Sequence, residues 1–189
     1  EDFVNTVETI FTSKGRVVLT GMGKSGLIAR KIVATLNSTG TAAIYLHPTD
    51  ALHGDLGMVR SEDVVILISK SGETEEISNL LPMLKRMNVK LISMCGNKES
   101  KLARECDLFL NIAVKEEACP YDLAPTASTT ATLALGDALA VSLLKKRNFT
   151  AKDFAFLHPG GSLGKRLSLK IKEVMITGDR IPRVNKDTS

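Results

Sequence analysis

Two short loops hold residues that could do chemistry. Ser69-Lys-Ser-Gly-Glu-Thr-Glu-Glu76 places two serines, a glycine and a threonine within six residues, directly after the apolar run that begins at Val64. Three hydroxyls and the free amides of a starting helix would offer a phosphate monoester matching donors without a metal. The same residues could simply cap a helix. Ser71 or Thr74 would then be the N-cap, with Glu73, Glu75 and Glu76 favourable at the positive end of the dipole. Gly21-Met-Gly-Lys-Ser-Gly26 is formally a Gly-x-Gly-x-x-Gly loop. A dinucleotide site would need an acid at the end of the second strand. That strand ends Tyr45-Leu46-His47-Pro48, and the nearest acid, Asp50, lies beyond the proline. A P-loop would need glycine at Val18. What remains is a tight turn with exposed amides, Ser25 and Lys24, suited either to a small anion or to nothing beyond turning the chain.

A third hydroxyl cluster, Thr126, Ser128, Thr129 and Thr130, opens a long helix after Pro125, and helix capping would account for it equally well. The sequence has three histidines. His53 and His158 fall in glycine-rich or proline-rich loops, not on apolar faces. His47 and His53 could in principle share a metal, but no cysteine pair or acidic partner at helical spacing supports that.

Composition narrows the classes. The 189 residues carry 25 basic and 21 acidic side chains, a net charge of +4 that leans only mildly toward anionic ligands. Aromatics make up 4% and tryptophan is absent, which argues against a base-stacking surface and a nucleic-acid partner. No unbroken apolar run reaches the roughly 18 residues of a membrane span. Cys95, Cys106 and Cys119 form no Cys-x-x-Cys pair, so reduced thiols and a cytoplasmic setting are expected. There is no initiator Met and no signal peptide before the first helix, so the natural N-terminus is expected upstream.

The elements that must hold these loops alternate. Helical periodicity covers Asp2–Ser13, Lys24–Ser38, Thr74–Met87, Ser100–Glu105 and about Ser128–Lys146. Apolar runs too short for helices cover Arg16–Thr20, Ala42–Leu46, Val64–Ser69, Leu91–Cys95 and Leu108–Ile112. The stretch through His53 reads as irregular and that from His158 onward as turn-rich. This pattern predicts one α/β domain, a three-layer α/β/α sandwich on a five-stranded parallel sheet with right-handed crossovers. Ligands in such sheets bind beyond the C-terminal strand ends, where both loops fall.

Ser69-x-Ser-Gly-Glu-Thr after a strand resembles the phosphate loop of the SIS (sugar isomerase) fold, which is flavodoxin-like. Longer strings narrow the resemblance: Gly21-Met-Gly-Lys-Ser-Gly, His47-Pro, His53-Gly-Asp-Leu-Gly-Met58, Glu117-Ala-Cys-Pro, Ala124-Pro-Thr, Thr129-Thr-Ala-Thr-Leu and His158-Pro-Gly-Gly-Ser-Leu-Gly164. Together, from about Arg16 to Met175, they are similar to the D-arabinose-5-phosphate isomerases that feed Kdo synthesis for lipopolysaccharide and capsule. The resemblance implies a SIS domain over residues 1–168. It also implies a tail, 169–189, like the start of a CBS region whose CBS pair is absent from this chain.

The resemblance further implies catalytic roles for Lys24, Glu76, Glu117 and His158. Glu117 would move the proton between C1 and C2, and His158 would assist ring opening or proton return. Lys24 would stabilise the enediolate, with Glu76 orienting it or sharing the base role. It implies substrate or phosphate contacts at Gly23, Ser25, Gly40, Thr41, His53, Ser69, Ser71, Thr74, Ser128 and Thr129, and an inhibitory zinc contact at His47. No cofactor is needed for such chemistry. A homotetramer with active sites shared between subunits and feedback by CMP-Kdo are also implied. The competing expectation is a non-catalytic SIS sensor of a phosphosugar or of CMP-Kdo. The acid–base set Lys24, Glu76, Glu117 and His158 favours the enzyme.

Overall fold

The computed structural model describes residues 1–161 and 171–184. The chain divides into two units, Glu1–Phe149 and Thr150–Ser189. In the first, α1 (Asp2–Thr12), β1 (Val17–Gly21), α2 (Gly23–Ser38), β2 (Ala43–Tyr45), α3 (Pro48–Leu52) and a 3-10 turn (Asp55–Met58) lead to β3 (Val64–Ser69). Then follow α4 (Glu75–Ser78), α5 (Leu81–Arg86), β4 (Lys90–Cys95), α6 (Lys101–Glu105), β5 (Leu108–Asn111) and α7 (Ala127–Lys146). The second unit holds α8 (Ala151–Leu157), α9 (Ile171–Val174) and a 3-10 turn at Gly178–Arg180.

The five strands form the parallel sheet that the sequence predicts, and their order is β2-β1-β3-β4-β5. β3 is apolar throughout because it lies mid-sheet with both faces covered, and all six of its residues are buried. Successive side chains alternate between two cores. Val17, Leu19, Val64, Ile66 and Ile68 pack with α1, α2 and α7 through Ile10, Ile32, Leu36, Leu139 and Leu143. Val18, Val65 and Leu67 pack with the other helical layer through Ile77, Leu80, Leu84 and Leu102. The order reverses between β1 and β3, and there the crevice at the C-terminal strand ends opens. β1 ends at Gly21, paired with Ile68, so the Gly21–Gly26 and Ser69–Glu76 loops leave the sheet side by side.

Three local departures from the sequence pattern have plain causes. The helix expected over Thr74–Met87 breaks into α4 and α5, because Pro82 lies in the first turn of α5 and its ring cannot sit inside a continuing helix. Pro48 likewise starts the short α3 inside the stretch expected to be irregular. Between the long helix and His158, where the sequence reading assigns no element, a Thr150/Asp153 capping box starts α8. α7, with a mean hydropathy of 1.4 over its most apolar window, has the length and hydropathy of a membrane span, which a search for unbroken apolar runs misses. Leu139, Ala140 and Leu143 place it in the core. Gly136 lets it approach α2, since a Cβ there would lie 2.3 Å from Ile32 Cδ1.

Candidate active site

The turn after β1 is fixed from beneath. The Tyr45 hydroxyl donates to the Gly21 carbonyl at 2.8 Å, and the Arg30 guanidinium lies 4.3 Å over the Tyr45 ring. A Cβ on Gly26 would stand 2.5 Å from the Gly21 oxygen and 2.6 Å from the Tyr45 hydroxyl. Glycine there lets the first turn of α2 close onto the strand end. Gly23 turns at φ +54°, and Lys24 and Ser25 follow in the first turn of α2, Lys24 exposed and Ser25 half-buried.

The loop after β3 is knitted by its own hydroxyls. Ser69 Oγ accepts from the Gly72 amide at 3.0 Å and bonds the Thr74 hydroxyl at 2.7 Å. Ser71 Oγ accepts from the Glu73 amide at 3.1 Å. Thr74 stands at the N-cap of α4 but makes no side-chain cap there, since its hydroxyl faces Ser69. Capping therefore does not account for this threonine, and the first-turn amides of α4 have no side-chain cap. Glu76 is half-buried in the first turn of α4.

Glu117 is the best-held carboxylate of the described residues. Its side chain is 0% exposed, and one oxygen accepts from the amides of Thr126 at 2.9 Å and Ser128 at 3.0 Å. The Thr126 hydroxyl adds a longer contact at 3.3 Å. The other oxygen accepts from the Ser128 hydroxyl and pairs with the Lys70 ammonium at 2.8 Å. The Lys70 ammonium and then the Ser128 hydroxyl hold its carboxyl far below the usual carboxylate range. In return, Glu117 raises Lys70 above the ordinary lysine value. The third hydroxyl cluster thus serves this acid. Ser128 spends both its amide and its hydroxyl on Glu117, while Thr129 donates to the Thr126 carbonyl at 2.8 Å.

The remaining residues are spread. His53 is exposed at the end of α3, before Gly54 at φ +125°. His47 Nδ1 is buried without a hydrogen-bond partner and lies 3.8 Å from an Asp50 oxygen. These two groups supply half of a tetrahedral zinc shell. No cluster of three or more potential ligands occurs among the described residues. Gly40, at φ +86°, and Thr41, whose hydroxyl accepts from Arg147 Nε at 3.2 Å, precede β2. The parallel sheet therefore puts them at its N-terminal edge, across the molecule from the two loops.

In the second unit His158 stacks on Phe154, with ring centroids 3.9 Å apart and planes at 14°. Its Nδ1 lies 2.8 Å from the Phe154 carbonyl. A carbonyl can only accept, so Nδ1 is the donor of this contact. The Ser162–Gly164 end of the His158 motif lies outside the described residues, as does the boundary expected at 168/169.

Sequence reasoning passed over Lys70, Asp122 and Phe154. Lys70 sits between two singled-out serines. Asp122, whose carboxylate accepts from the Glu117 amide at 2.6 Å, has a polar loop as its only signal.

Hydroxyl-rich loops at the switch point of a 2-1-3-4-5 parallel sheet place the chain among the doubly wound α/β domains. Within that class, the model of the SIS domain matches residues 10–142, and the chain belongs to the SIS family. It is 55% identical over all 189 residues to the arabinose 5-phosphate isomerase KdsD of Pseudomonas aeruginosa, and 56% identical to that of Escherichia coli strain K12. The chain spans 58% of the length of each of these curated relatives. Among solved structures, E. coli CFT073 c3406 in complex with arabinose 5-phosphate superposes with a TM-score of 0.82 at 50% identity, over 84% of either chain.

Proposed function

We propose that the chain is the isomerase domain of an enzyme that interconverts D-arabinose 5-phosphate and D-ribulose 5-phosphate through an enediolate, supplying Kdo for lipopolysaccharide or capsule. One observation carries this reading: a buried carboxylate, Glu117, ion-paired to a lysine of the hydroxyl loop at the switch point. Acid–base chemistry and anion binding thereby meet in one place. The relatives named arabinose 5-phosphate isomerase and the solved relative in complex with arabinose 5-phosphate support the choice of substrate.

Ser69, Ser71, Thr74 and the first-turn amides of α4 hold the phosphate. Gly23, Ser25, His53 and Thr129 complete the substrate contacts, and Ser128, expected among them, acts through Glu117, to which it gives its amide and its hydroxyl. Glu117, ionised at neutral pH, takes the proton from one of C1 and C2 and returns it to the other. Lys24 stabilises the enediolate oxygen, and Glu76 orients Lys24 or shares the base role. His158, oriented by its Nδ1 contact to the Phe154 carbonyl, assists ring opening or proton return. No redox cofactor takes part, because the reaction is redox-neutral: the electron pair stays within the sugar while the proton passes through a side chain. The protein works in the cytoplasm, CMP-Kdo binds as a feedback ligand, and zinc at His47 inhibits. The SIS domain extends to about residue 168, and 169–189 is a tail that resembles the start of a CBS region.

In an assay of aldose phosphates, ketose is expected fastest from D-arabinose 5-phosphate. Equal binding without any ketose would move the reading to a phosphosugar sensor.

The site is completed between subunits of a homotetramer. The support is Gly40 and Thr41, which one chain places at the sheet edge opposite its own loops. A neighbouring copy can present that edge. Mixed oligomers of Lys24→Met and Thr41→Ala chains, each weakly active alone, are expected to regain about a quarter of wild-type activity or more. No regain, or an active monomer by light scattering, would remove subunit sharing.

A further inference from the structure

Lys70 stands at the contact between the two halves of the proposed site. Its backbone lies between Ser69 and Ser71 in the hydroxyl loop, and its ammonium is 2.8 Å from Glu117. The lysine side chain is 48% exposed, whereas the carboxylate it meets is wholly buried. A carboxylate saturated with donors is a poor base, because every donor stabilises the ionised form. For Glu117 to move a proton, one donor must leave. The Thr126 amide and hydroxyl at the N-cap of α7, and the Ser128 amide and hydroxyl in its first turn, are fixed by the helix. Lys70 alone of these donors sits on a long flexible stem. On its outer flank a cleft of about 360 Å³ opens, lined by Ser71, Gly96, Asn97 and Ala113, so its head can swing away without displacing core side chains.

A phosphate group bound by the loop would carry up to two negative charges against one on Glu117, and Lys70 belongs to that same loop, between Ser69 and Ser71. We infer that Lys70 is a positioning residue that couples phosphate occupancy to the basicity of Glu117. With the loop empty it pairs with Glu117; with the loop filled it turns to the phosphate and leaves Glu117 free to accept a proton. The coupling deepens the isomerase reading and rests on it. It would commit the base only when a phosphorylated substrate is in place.

Other charges around Glu117 are few. Asp122 accepts from its backbone amide and helps keep Lys70 cationic. Glu73, on the same loop as Lys70, is turned toward the Lys101 amide at 2.8 Å. The first turn of α7 carries no acid. Lys115 and Glu116 precede Glu117 on its own loop.

The test follows the Glu117 carboxyl by ¹³C NMR in the full chain, labelled at glutamate and assigned with Glu117→Gln, as inorganic phosphate is added. In wild type, saturating phosphate is expected to raise the Glu117 titration by about one pH unit or more. In Lys70→Met the titration should already be raised without phosphate and stay put when phosphate is added. Lys70→Arg should restore the wild-type response. Turnover gives a second readout. Lys70→Met should raise KM for D-arabinose 5-phosphate about tenfold, keep kcat within about threefold, and move the acid limb of kcat/KM to higher pH. A wild-type Glu117 that ignores phosphate, or a Lys70→Met limb that stays at the wild-type pH, overturns the coupling. Absence of any isomerisation by wild type would instead sink the parent reading, and the phosphate titration would still decide the coupling.

Discussion

A Glu117→Gln enzyme is expected to keep its fold and to lose about 10²–10⁴-fold in kcat on D-arabinose 5-phosphate, the span that removal of a positioned general base costs. The amide is isosteric, so its oxygen can still accept from the Thr126 and Ser128 amides at the start of α7. Its NH₂ group must then face the Lys70 ammonium or the Ser128 hydroxyl, and it can accept no proton. KM should change far less than kcat, because Glu117 is buried beneath the phosphate loop and is not one of its donors. Acid stability provides a control. A carboxyl held below its ordinary value stabilises the fold above the unfolded-state pKa of about 4.3, and that contribution fades as pH falls toward the lower folded value. Wild type should therefore lose more stability than Glu117→Gln between about pH 5 and pH 2, read from melting temperatures. Equal kcat in the two enzymes would take the base role from Glu117 and give it to Glu76.

Gly72→Ala is expected to damage stability and phosphate affinity together. Gly72 turns at φ +73°, where an L side chain costs about 1–2 kcal/mol. Its Cβ would also stand 2.1 Å from the Ser100 hydroxyl. Ser100 has nowhere to go. It is fully buried, donates to the Asn97 carbonyl at 2.6 Å and caps α6 by accepting from Ala103. Overpacking of this kind adds about 1–3 kcal/mol, so the loss should total about 2–5 kcal/mol in denaturant unfolding. The loop that keeps its amides and hydroxyls in place must shift, and KM for the phosphosugar should rise at least tenfold. Adding Ser100→Gly removes the obstruction while uncapping α6. The double variant should recover part of the KM loss without recovering all of the stability. A Gly72→Ala protein with unchanged KM would mean that this loop does not hold the phosphate.

What the sequence revealed and what it hid divide along physical lines. β3 was legible because six buried apolar residues in a row have few other homes than a central parallel strand. The positions of the two loops followed from strand alternation alone. The capping box of α8 was equally local, in the Thr150-x-x-Asp153 spacing, but the helix it starts has only seven residues, too short for a clear periodicity. The surroundings of Glu117 were hidden for a deeper reason. Its donors come from Lys70, Thr126 and Ser128, residues 47, 9 and 11 positions away, and only the sheet and α7 bring them together. No spacing rule encodes that meeting. Gly40 and Thr41 show the reverse case, since the resemblance that implies them carries no account of which sheet edge they occupy.

The measurement that bears most directly on the central claim is isomerisation of D-ribulose 5-phosphate in deuterium oxide, with the aldose product identified and its label located by NMR. Proton transfer through an enediolate by solvent-exchanging side chains predicts D-arabinose 5-phosphate carrying deuterium at C2. The absence of any aldose, or a ribose epimer in place of the arabinose, would contradict it.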